Sequence, residues 1–478
     1  MSSHTRRDFL KRSAAVAGGL AAFSLAGTQA SGRVLGANDR IRVAVAGIHG
    51  RGRSHIDAYS KMKGVEVAYL VDPDSRLFAS RSKVVEKYGA PKPKCVQDLR
   101  KILDDKNLDA VSIATTNSSH ALLAIWACQA GKDVYVEKPC SHNIFEGRKI
   151  VEAARKYDRM VQIGTQSRSD PHWNEVIEAV HSGKYGKLLI SYGYASKPRG
   201  SIGFKLPKNP PKELDFDVWL GPALQQKYHE NIVHYNWHWF WDFGNGEIGN
   251  QGIHQLDIAR WAMPAGAVPQ SVISLGGRFG YEDQGQTPNT QFTVIDFGGP
   301  KMFFEDRGLV TGKSSKVTNE FYTDLGVIKG GKFYPKGQSQ GEPIVQSKAV
   351  NVEFQPNHFA NFIDCVRSHK REGLHAEILE GHRSTLLAHL ANTSYRLGAQ
   401  VPFNKQMKAF GDDKAAYESF ADIKEHLKKV AKMDLTASTY CLGRMLKFDA
   451  QTEKYDDDQA NKLLTRPYRR PYVVPEQV

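Results

Sequence analysis

Two side chains in this sequence stand where their chemistry and their neighbours suggest proton transfer. Lys138 lies in the run Asp133-Val134-Tyr135-Val136-Glu137-Lys138-Pro139, two residues after a short apolar stretch that reads as a strand. In an open α/β sheet, ligands collect beyond the carboxyl ends of the strands. An ammonium partly desolvated there has its pKa drawn down toward the range of a general acid or base. The plainer reading is a solvated lysine paired with Glu137. His254 lies in Gly249-Asn250-Gln251-Gly252-Ile253-His254-Gln255-Leu256-Asp257-Ile258-Ala259-Arg260-Trp261, which reads as a helix with one apolar face. Asn250 and His254, at i and i+4, can share a helix face. An amide there can orient an imidazole by a hydrogen bond but cannot accept a proton from it. Ahead of this helix, Trp237-His238-Trp239-Phe240-Trp241-Asp242 packs three tryptophans and a histidine into six residues. Such density serves either as core or as a platform on which sugar rings stack.

These groups need elements to hold them, and the first half of the chain supplies a nucleotide-binding pattern. Arg40-Ile41-Arg42-Val43-Ala44-Val45-Ala46 reads as a strand and runs straight into Gly47-Ile48-His49-Gly50-Arg51-Gly52. Gly47 and Gly52 occupy the first and third glycine positions of G-x-G-x-x-G, while His49 takes the place of the second. A second strand, Val65 to Val71, ends in Asp72, about 20 residues beyond the turn, where a carboxylate bonds the adenosine ribose. The predicted cofactor is NAD, with NADP as the alternative if Arg76 swings onto a 2'-phosphate. Helices are predicted over 76–88, around 97–103 and over 121–130, with a strand at 110–114, and this alternation implies a parallel sheet. Lys138 then falls where a nicotinamide ring is expected.

The glycine turn, Asp72, Asn117-Ser118-Ser119-His120 and above all Ala130-Gly131-Lys132-Asp133-Val134-Tyr135-Val136-Glu137-Lys138-Pro139 resemble the Gfo/Idh/MocA family of oxidoreductases, named for glucose-fructose oxidoreductase and inositol dehydrogenase. The resemblance implies an α/β protein: an N-terminal Rossmann domain, then a C-terminal α/β domain with a large open, mostly antiparallel sheet that carries the substrate and often the oligomer contact. It places cofactor contacts on Gly47, His49, Gly52, Asp72, Asn117, His120, Glu137 and Lys138. Catalysis falls to Lys138 and His254, which together manage the hydroxyl proton. Ile163-Gly164-Thr165-Gln166-Ser167-Arg168 is similar to the family's passage between domains. Substrate contacts are accordingly expected at Gln166, Arg168, Trp237, His238, Trp239, Trp241 and Asn250. Family members commonly carry Asp where Asn250 stands, so activity here is expected to follow a single imidazole-like ionisation.

Over 478 residues, 41% hydrophobic and 24% charged content provide core for at least two domains and exclude disorder and collagen-like fibres. The net charge of +14 is partly N-terminal and otherwise scattered. With no basic block or nucleic-acid motif, it points to anionic substrates or surfaces rather than nucleic acid. Five scattered cysteines without a C-x-x-C pair encode neither a disulfide framework nor a metal site. Thr5-Arg6-Arg7-Asp8-Phe9-Leu10-Lys11, the small apolar run Ala14 to Gly27 and Thr28-Gln29-Ala30 resemble a twin-arginine export signal. That run falls short of the ~20 residues of a stable membrane span. The predicted organisation is a signal over 1–30, a Rossmann domain over 38–165, a substrate domain over 166–402 and an extension over 403–478. Its proline-punctuated end lies either on its own domain or on a neighbouring subunit. The expected protein is a periplasmic or envelope NAD(P)-dependent oxidoreductase of a sugar or cyclitol, homo-oligomeric through its C-terminal sheet, with its cofactor retained. Two alternatives stand beside it: a redox-neutral glycosidase or epimerase working through a transient keto-sugar, and a non-catalytic sugar-binding protein.

Overall fold

The computed structural model describes residues 40–311, 315–344, 354–405 and 407–478; the segment read as an export signal lies outside them. Six short strands form the first sheet: β1 (Ile41–Ala46), β2 (Val65–Val71), β3 (Lys94–Val96), β4 (Ala110–Ile113), β5 (Asp133–Val136) and β6 (Val161–Ile163). They pair in the order β3-β2-β1-β4-β5-β6, every pair parallel. β4, β5 and β6 are buried at every position, which is why their sequences are mostly apolar instead of alternating, with Ser112, Asp133 and Gln162 as the buried polar exceptions. The order reverses at β1/β4, and the crevice opens above the carboxyl ends of these two strands.

Several connecting elements depart from the sequence reading. Residues 97–103 hold only a 3-10 turn, Leu99–Lys101, which the Asp98 carboxylate caps by accepting from the Arg100 amide. The helix expected from Ala121 begins at Asn117, because Thr116 is extended and the first turn is buried, with the Ser118 amide donating to the Phe243 carbonyl. The helix containing His254 is broken in two. Ile248–Gly252 forms a π turn and Ile253–Trp261 an α-helix, so the i, i+4 face assumed for Asn250 and His254 does not run through.

Among the described residues the second sheet has twelve strands. At its centre lie β7 (Leu188–Ser196), β8 (Ser271–Gly277), β9 (Thr290–Asp296) and β10 (Lys301–Arg307). β7 pairs parallel with β10, whereas β8/β9 and β9/β10 are antiparallel. The helix Ile253–Trp261 and the π turn before it pack against β7, and the turn's Asn250 carbonyl accepts from Lys138 beyond β5. Beyond residue 402, Thr439–Leu442 and Leu446–Asp449 both join the edge at β8. The end of the chain returns to the nucleotide domain, where Tyr472 and Val474 are buried in its core. The tail therefore lies on the nucleotide domain of its own chain. Among the described residues no helix is long and apolar enough to cross a membrane.

Candidate active site

A cavity of about 570 Å³ opens above β1, β4 and β5 and is lined by residues of both sheets' loops and of the tail. Its floor is the glycine turn. Gly47 has φ +79°, and a Cβ there would lie 2.5 Å from the Ala114 carbonyl oxygen; one on Gly52 would lie 1.7 Å from the Gly47 oxygen. Neither position tolerates a side chain. A Cβ at Gly50 would meet nothing within 4 Å, so this glycine faces open space. The helix Arg51–Ser60 begins there without a side-chain cap or an acidic residue in its first turn, which leaves its N-terminal amides available to an anion. His49, at the second glycine position, turns its ring onto His234, with centroids 4.4 Å apart and planes within 2°. The Arg81 guanidinium fixes the turn from behind by donating to the Ile48 and His49 carbonyls.

Asp72 stands at the end of β2 on the same cavity. Its carboxylate accepts from the Ile48 amide at 2.8 Å and the Asp74 amide at 2.9 Å. Burial pushes its pKa up to about 6 against these bonds. Arg76 is already engaged with Asp74, donating from Nε at 2.7 Å. His234 also reaches Asp74, at 2.7 Å. Two carboxylates and a committed guanidinium here suit a ribose hydroxyl and repel a 2'-phosphate.

Glu137 is the hub on which the catalytic end is built. Its buried carboxylate accepts from Arg51 Nε at 2.7 Å, Gln166 Nε2 at 3.3 Å and the Lys138 amide at 3.2 Å, with His55 Nε2 at 3.1 Å. Burial pushes the carboxyl up, but Arg51 and His55 outweigh it and hold the group well below the usual range. Gly164 makes room for it, since a Cβ there would sit 2.7 Å from Oε1. Glu137 is thus occupied by protein partners and positions Lys138. His120 does the same from the other side, its ring spanning the Pro139 carbonyl at 2.7 Å and the Thr115 carbonyl at 3.2 Å. The Lys138 ammonium donates to the Asn250 backbone carbonyl at 2.8 Å. Burial lowers its pKa, aided by Arg51 and Arg199 and opposed by Glu137 and Glu247.

His254 and His238 share the cavity with Lys138. Burial, then the Lys138 charge, lowers His254 to about 3, so its imidazole is neutral at physiological pH. In this environment His254 does not supply the expected imidazole ionisation near its ordinary value. Asn250 does not orient it: the amide donates to Glu247 Oε2 at 3.3 Å, and His254 makes no hydrogen bond among the described residues. Glu247 is itself gripped by Arg199 through two bonds of 2.8 and 2.7 Å. The chain Arg199–Glu247–Asn250 therefore fixes the carbonyl that receives Lys138. His238 Nδ1 lies 2.6 Å from the Tyr235 carbonyl, and the ring stacks on Trp237 at 3.6 Å. Burial, opposed by that carbonyl, brings His238 to about 3.

Gly47, His49, Asp72, His120, Glu137, Lys138, Gln166, Trp237, His238, Asn250 and His254 are thus brought together on one cavity. Gly52 packs beneath the turn. Four expected site residues lie elsewhere. Arg168 is buried in a two-bond ion pair with Asp257, at 2.9 and 2.8 Å, and fixes the helix bearing His254. Trp239 is core, under the Arg199 guanidinium, and Trp241 packs against Arg396. Asn117 is buried in the first turn of its helix, off the cavity wall. Sequence reasoning missed Arg51, Arg199, Glu247, His234 and Tyr472. Only Glu247 carried a signal, as an acid in the turn just before Asn250. Among the described residues no cluster of three or more His, Cys, Asp or Glu could hold a metal ion.

A turn closed to side chains at Gly47 and Gly52, an uncapped helix N-terminus, a carboxylate at the end of β2 and a lysine beyond β5 fit a dinucleotide with its nicotinamide toward Lys138. Comparison with known proteins agrees. Residues 41–165 match the Gfo/Idh/MocA family as its oxidoreductase NAD-binding Rossmann fold, and residues 202–428 match its C-terminal alpha/beta domain. Inositol 2-dehydrogenase of Corynebacterium glutamicum is 28% identical over 165 residues, 34% of this chain and 47% of that protein. Glycosyl hydrolase family 109 protein 2 of a Shewanella species is 30% identical over 206 residues, 40% of this chain and 45% of that protein. The chain thus spans about half the length of these relatives. The solved WlbA dehydrogenase of Bordetella pertussis, in complex with NADH and UDP-GlcNAcA, has a TM-score of 0.57 at 16% identity, covering 75% of this chain and 96% of that one. The aldose-aldose oxidoreductase of Caulobacter crescentus, complexed with glycerol, has a TM-score of 0.53 at 17% identity, covering 74% and 97%. Both likenesses show a shared fold.

Proposed function

This chain belongs to the Gfo/Idh/MocA oxidoreductase family, and from that premise we propose that it is an NAD-dependent oxidoreductase of a sugar or cyclitol hydroxyl that retains its dinucleotide. The observation that carries the reading is the Lys138 ammonium held against the Asn250 carbonyl on the same cavity as the glycine cradle and the neutral His254. When bound, the dinucleotide supplies the hydride acceptor and donor. Burial lowers the Lys138 pKa so that its neutral amine is accessible; that amine takes the proton from the substrate hydroxyl as the C–H bond yields hydride, and the resulting ammonium returns it in the reverse direction. His254 orients that hydroxyl by accepting or donating a hydrogen bond and stores no proton. Trp237 and His238 offer a stacked aromatic wall of the kind sugar faces use.

Export by the twin-arginine route belongs to the same proposal and rests on Arg6, Arg7 and the apolar run after them. A cell envelope supplies no free dinucleotide pool, so a cofactor loaded during cytoplasmic folding has to stay bound, each oxidation being matched by hydride return to a carbonyl substrate on the same enzyme. Retention through purification implies about −10 kcal/mol or better. Self-association through the C-terminal sheet completes the reading. The likeness to a glycosyl hydrolase family 109 protein favours a second reading, in which transient oxidation acidifies a neighbouring C–H so that elimination cleaves a glycosidic bond. One experiment tests both. Purified protein is incubated with a panel of pyranoses, cyclitols and glycosides, with and without added NAD, and nucleotide and products are quantified. Conversion without added nucleotide is expected, and cleaved glycoside with no net reduction selects the second reading. Protein that emerges empty and works only with millimolar NAD refutes retention. Binding of sugars without any conversion refutes both enzymatic readings.

A further inference from the structure

Residues past 428 lie outside both family matches, yet Tyr472 forms part of the cavity wall. The position is informative. The glycine cradle takes the pyrophosphate and Asp72 the ribose, so the adenine lies beyond them toward β3, in a slot walled by Leu99, Leu122, Leu123 and Trp126. Tyr472 closes this slot. Its ring is 6.2 Å from Trp126, and the Arg100 guanidinium lies against both rings, at 5.7 Å from Trp126 and 4.8 Å from Tyr472. The phenol donates to Asp217 at 3.1 Å and accepts from Arg100 at 3.1 Å.

The segment around Tyr472 is fastened at both ends. Arg466 donates to the Glu146 carboxylate and to the Ser118 and Asp242 carbonyls. Val474 is buried in the nucleotide domain's core. Between them, Arg469 reaches across to the short helix Phe216–Leu220 and the turn after it, donating to the Asp217 side chain and to the Asp217, Gly221 and Ala223 carbonyls. That helix and turn contribute Val218, Trp219, Gly221 and Pro222 to the same cavity. Tail and helix are therefore latched together over the slot. We propose that Arg466–Val474 is a strap completing the adenine subsite, with Tyr472 as its wall and Arg469 as its latch, and that it governs how fast the dinucleotide leaves. The proposal rests on the dinucleotide reading given above and explains retention by the chain's own residues.

Stopped-flow displacement of NADH from the full-length protein, followed by its fluorescence, tests this without any substrate. Arg469→Ala unlatches the strap without emptying the core, and Tyr472→Ala removes the wall. Both are expected to release NADH about ten-fold faster or more, with little change in association. Tyr472→Phe, which keeps the ring against Trp126 and Arg100, is expected to lie between them and the wild type. Circular dichroism of each variant separates unlatching from unfolding, and the mild Arg469→Ala keeps the test open if Tyr472→Ala misfolds. Wild-type binding with unchanged release from folded Arg469→Ala overturns the strap alone. A wild-type protein that binds no NADH overturns the dinucleotide reading and the strap with it.

Discussion

Replacing Lys138 by Met removes the ammonium while keeping much of the side-chain length. The Nζ lost is the one that donates to the Asn250 carbonyl at 2.8 Å. Two effects on folding oppose each other. The orphaned carbonyl costs about 1–3 kcal/mol, whereas removing the cation relieves its desolvation, a gain partly offset by the lost attraction to Glu137 and Glu247. Stability is therefore expected to change by no more than about 2 kcal/mol. The chemical step has no such offset. Loss of the positioned acid–base group is expected to lower turnover by about two to four orders of magnitude. The assay is single-turnover reduction of bound nicotinamide followed by absorbance, together with nucleotide extraction and a denaturant melt on the same sample. A folded, nucleotide-loaded Lys138→Met that turns over at the wild-type rate refutes the role of Lys138. Loss of nucleotide with the chemistry intact would move Lys138 from catalysis to cofactor binding.

The pH profile of sugar oxidation is expected to rise with pH through the lowered Lys138 pKa, below 10.5, with no limb near the usual imidazole value, because burial holds His254 at about 3. A limb near 6.5 that disappears in His254→Asn would show His254 titrating after all. NAD is expected to bind more tightly than NADP, since Arg76 is committed to Asp74 and Asp72 repels a phosphate; fluorescence titration giving the opposite order means that Arg76 breaks away. Arg168→Met should cost about 3–5 kcal/mol by leaving Asp257 buried without its main partner, a loss read by urea melts. Burial raises the Asp257 carboxyl, but Arg168 outweighs it and holds the group below its usual pKa. The stability from this pair is therefore full above about pH 4 and lost as pH falls through the depressed folded value. The variant's acid limb should be correspondingly flatter.

Much of the nucleotide half was legible because β1, β4 and β5 are mostly apolar runs followed within two residues by residues of restricted type: Gly47, Thr115 and Lys138. Each side chain there acts close to its own strand end, so local pattern and position suffice. The substrate half was less legible. Alternating tryptophans cannot distinguish cavity from core, and here the 3-10 turn Asn236–Trp239 puts Trp237 and His238 on the cavity while Trp239 goes inward. Asn250 was placed on the face of His254 by helical spacing that a π turn interrupts. Arg168 reads as a free cation in sequence, and its partner Asp257 lies 89 residues away. The tail was beyond reach for the same reason: Tyr472 meets Asp217 and Arg100 at separations of 255 and 372 residues, in a proline-punctuated segment with no period.

The most direct test of the account is to mix purified, nucleotide-bearing protein with each candidate sugar or cyclitol in the absence of added NAD and follow reduced nicotinamide in a single turnover, using substrate with hydrogen or deuterium at the reacting carbon. A burst of reduced nicotinamide, up to one per bound nucleotide, slowed by deuterium and abolished in Lys138→Met, is the predicted result. Sugars that bind tightly while the nicotinamide spectrum stays unchanged, in the wild type as in the variant, would contradict it.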